Sequence, residues 1–206
     1  MPVRAHHAYD SFRNVVQMTP PDPLREKPTD VYVLGQEIIN GPLRLDPYDP
    51  EWSRQYAVEA RRVRAALGDR VLRIEHIGST SVPGLAAKPI IDMLLVVADP
   101  GDEETYVPDL EEAGYVLHIR EPDWYEHRLF KRPDGTDLHL HVHPPSSPEI
   151  RRNLALRDHL RTDAADRDLY ERTKRELAGR TWRYMQDYAD AKGEVIEQIL
   201  ARALAC

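Results

Sequence analysis

Apolar residues recur at helical spacing in the segment that begins near residue 49. Asp49-Pro50-Glu51 has the composition of a helix start, because aspartate caps the first N–H groups and proline is tolerated in the first turn. The apolar positions that follow are Trp52, Tyr56, Val63 and Leu67. Gly68 is typical of a helix end, so the pattern predicts an amphipathic helix over residues 49–68.

The pattern changes to that of β-strands after this helix. Residues 71–77 are predicted to form a strand, and residues 90–97 form a nearly continuous apolar run, typical of a strand buried on both faces. The small residues Gly78-Ser79-Thr80-Ser81-Val82-Pro83-Gly84 join them. Further on, the pattern predicts a helix at 102–113, strands at 115–119, 125–131 and 136–143, and a turn at Pro133-Asp134-Gly135.

Helical patterns fill the last third of the chain, with helices predicted at 148–161, 164–178 and 182–204. Before residue 42, several prolines interrupt any regular pattern and leave only a short candidate strand at residues 31–34. We therefore predict an irregular N-terminal arm, residues 1–41, and one α/β or α+β domain, residues 42–206. The arm is expected to pack on this domain or on a neighbouring subunit, as in a homodimer.

Composition limits the classes of function. The 206 residues carry a net charge of −7 with a pI near 5.7, and an acidic chain is poorly suited to coating nucleic acid. We expect a small-molecule substrate and no nucleic-acid partner. No apolar run approaches the roughly 18 residues that span a bilayer, and the N-terminus lacks the apolar core of a signal peptide. A cytoplasmic protein without a membrane partner is expected, with Cys206 as a free thiol.

The strongest chemical signal lies between the two predicted central strands. Gly78 permits the close approach of a phosphate or another backbone segment, and hydroxyls follow at Ser79, Thr80 and Ser81. Asp92 lies inside the apolar strand that comes next, where a carboxylate is costly unless it reaches a cleft, a metal ion or hydrogen-bond donors. We interpret Asp92 as a functional acid. The alternative is a structural carboxylate that accepts hydrogen bonds from the neighbouring loop.

A second signal is the histidine-rich strand at residues 136–143. Alternation predicts that one face carries Leu138, Leu140 and Val142, and that the other carries Asp137, His139, His141 and His143. Neutral imidazole is a common metal ligand and a proton carrier near neutral pH. Placed beside Asp92, His139 and His141 would form a ligand set typical of zinc or iron. The alternative is a solvated strand face whose histidines have ordinary hydrogen-bond partners.

Basic residues near these motifs are candidate phosphate ligands. Lys88 lies just before the strand of Asp92, and the predicted C-terminal helices carry Arg157, Arg161, Lys174 and Lys192. Such cations bind phosphate through charge-assisted hydrogen bonds. The alternative is that they are ordinary surface charges, which keep helices soluble.

Several stretches taken together resemble a known family. They are Tyr48-Asp49-Pro50-Glu51-Trp52, Glu75-His76-Ile77-Gly78-Ser79-Thr80-Ser81-Val82-Pro83-Gly84-Leu85-Ala86-Ala87-Lys88-Pro89-Ile90-Ile91-Asp92, Gly114-Tyr115, Leu138-His139-Leu140-His141-Val142, Leu156-Arg157-Asp158-His159-Leu160-Arg161, Tyr170, Lys174 and Leu177-Ala178. The combination resembles the GrpB family over residues 42–203 and leaves the N-terminal arm outside.

The resemblance implies a fold similar to that of the nucleotidyltransferase superfamily. That fold is α+β, with a mixed β-sheet flanked by helices, and here it would carry a helical C-terminal third. In that superfamily a Gly-Ser loop holds the triphosphate and several acids hold divalent metal ions. Gly78-Ser79 matches the loop and Asp92 matches the first acid, whereas Leu94 stands at the position of the second. Mg²⁺ prefers carboxylate oxygens, so the loss of an acid weakens the case for two-metal nucleotidyl transfer.

Three hypotheses follow. The first is a metal-assisted transferase that acts on a nucleotide, such as a nucleoside triphosphate, or on a phosphorylated small molecule. Its metal, Mg²⁺ or Mn²⁺ with Zn²⁺ or Fe as alternatives, and its catalysis would depend on Asp92, His139 and His141. Its phosphate ligands would be Gly78, Ser79, Thr80, Ser81, Lys88, Arg157 and Lys174. The second is a different enzyme that uses the same Asp/His cluster for transition-metal or acid–base chemistry. The third is an inactive nucleotide- or ligand-binding module.

Overall fold

The computed structural model describes residues 31–35 and 38–205. The predictions for most of the N-terminal arm and for the thiol of Cys206 lie outside the described residues. The strands are β1 (Ile38–Gly41), β2 (Arg73–Ile77), β3 (Ile91–Val96), β4 (Val116–Glu121), β5 (His127–Lys131), β6 (Leu138–His143) and β7 (Trp182–Tyr184). The helices are α1 (Glu51–Leu67), α2 (Val107–Glu112), α3 (Pro148–Thr162), α4 (Ala164–Ala178), α5 (Met185–Ala191) and α6 (Gly193–Ala203).

The central sheet has five strands in the order β2-β3-β6-β5-β4. Strands β3 and β6 are parallel, and every other neighbouring pair is antiparallel. The register places Asp92 opposite Ile77 on one side and His139 on the other. The predicted α+β class, with a mixed sheet and a helical C-terminal third, is therefore confirmed.

One face of the sheet is closed by α1 and α2. The first turn of α1 is capped by Asp49, whose Oδ1 accepts a hydrogen bond of 2.8 Å from the N–H of Glu51. The buried stripe of α1, which includes Trp52, Val63 and Leu67, packs in one apolar cluster with the inward side chains of β3 and β6. Removing this apolar surface from water is the main stabilising term for the layer.

The C-terminal helices approach the opposite face. Ser147 caps α3 by accepting a 3.3 Å hydrogen bond from the N–H of Glu149, and Asp163 caps α4 by accepting a 2.8 Å bond from the N–H of Asp166. A second apolar cluster joins α3, α4 and α6 to the loop after β2 and contains Val82, Leu85, Leu160, Tyr170, Val195 and Ile199. The helices therefore pack on the loop after β2 and leave a space above the neighbouring strands. No described helix has both the length and the apolar character that a membrane crossing requires.

Some predicted elements were wrong. The helix predicted at 182–204 is instead β7 followed by α5 and α6, because Tyr184 is extended and its N–H is capped by the Asp187 carboxylate at 3.3 Å. The strand predicted at 31–34 is a single bridge between Tyr32 and Ile119. A strand was not predicted at Ile38–Gly41, which pairs with β7. In the segment 125–131 the strand begins only at His127, after two residues with positive φ.

Candidate functional site

A cavity of about 370 Å³ lies between the open face of the sheet and the C-terminal helices. Its lining includes eight of the predicted site residues, namely Gly78, Ser79, Thr80, Lys88, Asp92, His139, His141 and Lys174. Ser81 and Arg157 are not part of this lining. Three distant parts of the chain therefore meet at one cavity: the loop after β2 together with β3, the strand β6, and the helix α4.

The loop after β2 fits tightly against Asp92. A Cβ on Gly78 would lie 2.9 Å from the Cβ of Asp92, and Gly78 has φ of +67°, so both contact and conformation require glycine. A close approach at Gly78 thus occurs, but the neighbour is the side chain of Asp92 and not the phosphate or backbone segment that was predicted. The hydroxyl of Thr80 donates to the carbonyl of Ile90 at 3.2 Å, and that of Ser81 donates to the carbonyl of Gly78 at 2.6 Å. These two hydroxyls stabilise the loop, whereas the hydroxyl of Ser79, in the cavity lining, accepts a hydrogen bond of 3.0 Å from Lys174.

Asp92 and two histidines form the candidate metal centre. The Oδ1 of Asp92 lies 3.4 Å from Nδ1 of His139 and 3.9 Å from Nε2 of His141. One ligand atom from each residue lies within 4.8 Å of the other two. Burial alone would raise the pKa of Asp92, but the adjacent imidazoles of His139 and His141 hold that pKa well below its usual range. The carboxylate is therefore ionised over the whole physiological pH range.

The donor set fits one divalent cation. Two imidazole nitrogens and one carboxylate oxygen suit Zn²⁺, Fe²⁺ or Mn²⁺ better than a pair of Mg²⁺ ions, which require more oxygen ligands. The Nε2 of His139 is buried and has no hydrogen-bond partner in the described part of the chain. Leu94, the residue at the position of a second acid, is fully buried and supplies no ligand.

Two residues that the sequence did not single out extend this cluster. Glu121 Oε2 lies 2.7 Å from Nδ1 of His127, and Nε2 of His127 lies 3.1 Å from Nδ1 of His141. Glu121 is on β4, His127 on β5 and His141 on β6, so the contacts cross three neighbouring strands. His127 lies one strand away from the predicted histidine row, which is why alternation within one segment could not reveal it.

Lysine side chains close the cavity on the helical side. The ammonium group of Lys174, which is only 2% exposed, donates to the hydroxyl of Ser79 at 3.0 Å and to the carbonyl of Ala86. Burial, together with the like charge of Lys192, lowers the pKa of Lys174 to about 7. Lys88 and Lys192 lie over the ring of Tyr188, at 5.8 Å and 4.7 Å from its centroid.

The charges in the cavity favour an anionic ligand. Lys88, Lys131, Lys174 and Lys192 line it, whereas the carboxylates of its lining are Asp92 and Glu121. Glu121 is held by His127, and Asp92 is the candidate metal ligand. Burying the like charges of Lys174 and Lys192 together is costly unless a ligand of opposite charge compensates them. A phosphate group would supply that charge.

Arg157 was predicted to be a phosphate ligand, but it is not part of the cavity lining. Its guanidinium donates to the carboxylate of Glu75 at 2.9 Å and to the carbonyl of His76 at 3.1 Å. Arg161, one turn later on α3, donates to the carbonyl of Ser81 at 2.9 Å and 3.1 Å. Both arginines therefore fasten α3 to β2 and its following loop, and they stabilise the loop from outside the cavity.

The fold and the cleft define a class of small α+β proteins in which an Asp/His cluster and a Gly-Ser loop share one face of a mixed sheet. The family model described as GrpB protein matches residues 42–202, and the chain belongs to the GrpB family. The predicted resemblance over residues 42–203 is thus confirmed.

The match covers most of the length of two bacterial relatives and of one solved structure. UPF0157 protein BH1888 of Halalkalibacterium halodurans is 56% identical over 166 residues, which are 81% of this chain and 85% of that protein. UPF0157 protein SCO7215 of Streptomyces coelicolor is 49% identical over 171 residues, with coverage of 81% and 89%. The crystal structure of the conserved protein GrpB from Enterococcus faecalis superposes with a TM-score of 0.67 at 32% identity, covering 79% of this chain and 98% of that chain.

Proposed function

We propose that this protein is a metal-assisted transferase that acts on a nucleotide or a phosphorylated small molecule, with a small acceptor. One observation carries the proposal: a ligand set for a single cation, Asp92 with His139 and His141, shares its cavity with Ser79 and the buried Lys174. The cation site and the anion site are thus adjacent, as transfer of a phosphorus-containing group requires.

Each part of the cavity has a role in this proposal. The ammonium of Lys174 and the hydroxyl of Ser79, 3.0 Å apart, would bind phosphate oxygens. Lys88 and Lys192 would add positive charge where a leaving group becomes more negative. A divalent cation held by the Asp/His cluster would supply Lewis-acid polarisation of a phosphoryl oxygen. The overall charge of −7 disfavours a nucleic acid as acceptor, so we propose a small molecule.

With a nucleoside triphosphate the transfer is balanced as follows. The acceptor oxygen forms a bond to the α-phosphorus, the bond from that phosphorus to the bridging oxygen of pyrophosphate breaks, and the acceptor proton is released to solvent. The lysines stay in place and stabilise the charge that accumulates on pyrophosphate.

The nitrogen-rich ligand set favours a second candidate, an enzyme that uses Asp92, His139 and His141 for transition-metal or acid–base chemistry on a small molecule. It would need the metal centre but not the lysines. The two candidates therefore differ in whether nucleotide binding depends on the metal.

The test is thermal stabilisation by the four ribonucleoside triphosphates, each with and without Mn²⁺, Mg²⁺ or Zn²⁺, with pyrophosphate release measured in parallel. We expect at least one triphosphate to raise Tm only when a divalent ion is present. Asp92→Asn should weaken metal binding by at least about 100-fold, because even outer partners of metal ligands contribute 10–100-fold. Asp137→Asn, at an exposed aspartate just before β6, is the matched control and should bind normally.

The outcomes separate the candidates. A metal that binds at the cluster without any effect on nucleotide affinity favours the transition-metal or acid–base enzyme. Metal-dependent nucleotide binding without pyrophosphate release, across a panel of hydroxyl and amine acceptors, favours a binding module. Absence of metal-dependent stabilisation with all four nucleotides contradicts the proposal.

A further inference from the structure

We propose that Glu121 and His127 are positioning residues that hold His141 in the tautomer with hydrogen on Nδ1, so that the lone pair of its Nε2 is directed at the cation site beside Asp92. The inference rests on the proposed function, because it assigns the tautomer of one ligand of that metal centre. Glu121 and His127 are both outside the ligand set: His127 contacts His141, and Glu121 orients His127.

The distances define a continuous line of contacts. Glu121 Oε2 lies 2.7 Å from His127 Nδ1, and His127 Nε2 lies 3.1 Å from His141 Nδ1. Both are within hydrogen-bond range. The far nitrogen of His141, Nε2, lies 3.9 Å from Asp92 Oδ1, which is beyond that range. The series of contacts therefore ends at Nε2 of His141, which faces the carboxylate of Asp92 without a hydrogen bond to it.

The direction of each hydrogen bond follows from the first group. An ionised carboxylate can only accept, so Nδ1 of His127 donates to Glu121. A neutral imidazole has one N–H group, so Nε2 of His127 is an acceptor, and Nδ1 of His141 must donate to it. The remaining nitrogen of His141, Nε2, then carries a lone pair, which is the form that binds a metal ion.

The opposite direction is less favourable. With Glu121 ionised, it requires a cationic His127, at a position only 3% exposed, and a proton on Nε2 of His141 with Asp92 too distant to accept it. The buried position of His127 and the distance to Asp92 therefore both favour the same tautomer of His141.

Packing fixes the imidazole of His127 in the position that this task requires. Its ring stacks on that of His141, with centroids 5.3 Å apart, and on that of His143, with centroids 4.7 Å apart. The indole of Trp124 contacts it edge-on at 5.1 Å. The ring therefore cannot swing away without breaking three aromatic contacts.

His139 provides an internal contrast. Its Nδ1 faces Asp92 at 3.4 Å, but its Nε2 is buried and has no hydrogen-bond partner among the described residues. The carboxylate that faces it belongs to Asp92, which is itself a candidate metal ligand. The two histidine ligands thus differ, because a carboxylate and an imidazole outside the ligand set position His141, whereas His139 faces a ligand of the same site.

The experiment has two readouts on the full-length protein. Long-range ¹H–¹⁵N correlation spectra of the metal-free protein report the tautomer of each histidine, and calorimetric titration with Zn²⁺ gives a Kd. The variants are His127→Phe, which keeps the ring but removes its nitrogens, and the pair Glu121→Leu and Glu121→Gln. Asp137→Asn is the control, because it changes an exposed carboxylate just before β6 and leaves Glu121, His127 and the ligand set intact.

We expect the wild type to show hydrogen on Nδ1 of His141. His127→Phe and Glu121→Leu should shift His141 toward the Nε2–H tautomer and weaken Zn²⁺ binding about 10–100-fold. Glu121→Gln retains an acceptor for His127, so it should keep most of the wild-type tautomer of His141 and most of the wild-type Zn²⁺ affinity. The control should change neither, although it too removes a carboxylate, two residues before His139.

Two results would overturn the inference: hydrogen on Nε2 of His141 in the wild type, or variants whose tautomer and Zn²⁺ affinity match the wild type. A merely structural role of Glu121 and His127 would lower stability without moving the tautomer. If the wild type binds no metal ion, the proposed function fails, and the tautomer measurement still decides whether the two residues act on His141.

Discussion

The two faces of the central sheet have opposite characters, and β6 shows the contrast within one strand. Leu138, Leu140 and Val142 are all 0% exposed on the face covered by α1 and α2. The side chains of His139 and His141, on the other face, are 17% and 29% exposed and face the cavity. Strand β3 repeats the pattern, with Met93 in the closed core and Asp92 in the cavity.

The difference shows where the protein keeps the buried polar groups of its cavity. The closed face is mainly apolar and its stability comes from burial. The open face holds a buried ammonium at Lys174, a carboxylate between two imidazoles, and an imidazole nitrogen of His139 that has no hydrogen-bond partner among the described residues. Such groups are costly unless a ligand completes them. Substitutions on the two faces should therefore affect different properties.

The largest expected effect comes from a truncation on the closed face. Leu140→Ala should lower the free energy of unfolding by about 2–5 kcal/mol, because Leu140 is fully buried and the cavity left behind cannot collapse completely. The neighbouring change His139→Ala should cost less than about 1.5 kcal/mol, since it removes no core contact. Urea unfolding measures both changes.

Titration with Zn²⁺ compares the metal affinity of the same two variants, Leu140→Ala and His139→Ala. Folded Leu140→Ala should bind Zn²⁺ as the wild type does, whereas His139→Ala should bind it more weakly. If both variants lose stability and metal affinity in equal measure, the separation of the two faces is wrong.

A buried histidine on the closed face predicts acid sensitivity. His76 pairs with Met93 across the strands and stacks on Tyr56 of α1 at 4.7 Å. Burial is the main cause that lowers its pKa from 6.5 to about 4. Between these two values the unfolded state binds more protons than the folded state, so stability falls as the pH falls from 6.5 to 4. The expected loss is on the order of 3 kcal/mol.

Unfolding free energies at several pH values test this expectation against His76→Gln. The variant should lose part of the slope between pH 6.5 and 4. His143, whose pKa burial lowers to about 2, contributes a similar slope in both proteins and does not disturb the comparison. An unchanged slope in the variant would show that His76 is not buried in the neutral form.

Local patterns were enough to predict the closed face and part of the open one. The helix α1 has its cap, stripe and end in consecutive sequence, and the alternation of β6 separates leucines from histidines without any knowledge of neighbours. Asp92 was conspicuous because a carboxylate in an apolar strand needs a partner. The parallel pairing of β3 with β6 then brought Asp92 and His139 to one level.

The remaining features depend on pairing between distant segments. Glu121 contacts His127 only because the two residues pair in the register of β4 and β5. The start of β5 could not be predicted either, because the positive φ angles of Tyr125 and Glu126 have no signal in the sequence pattern. Lys192 reaches the cavity only because α5 and α6 turn back over the loop after β2. The place of Arg157 depends on which side of α3 faces β2. None of these relations has a local periodicity.

Of the substitutions that compare the two faces, Lys174→Met should change stability the least. Lys174→Met keeps an unbranched side chain of similar volume and removes the buried ammonium. The free energy of unfolding should stay within about 1 kcal/mol of the wild type, because relief of the desolvation cost offsets the loss of hydrogen bonds to Ser79 and Ala86. Triphosphate affinity in the presence of metal should fall about tenfold or more, since a charge-assisted contact contributes roughly 1.5–3 kcal/mol.

Arg175→Gln is the matched control for this change, because Arg175 is the next residue on α4 and its side chain is 52% exposed. It should alter stability by less than about 0.5 kcal/mol and leave nucleotide affinity unchanged. A large loss of stability in Lys174→Met would instead place Lys174 with Leu140, as a residue whose contacts hold the fold. Equal stability with weaker triphosphate binding would show that the open face keeps a buried charge for its ligand.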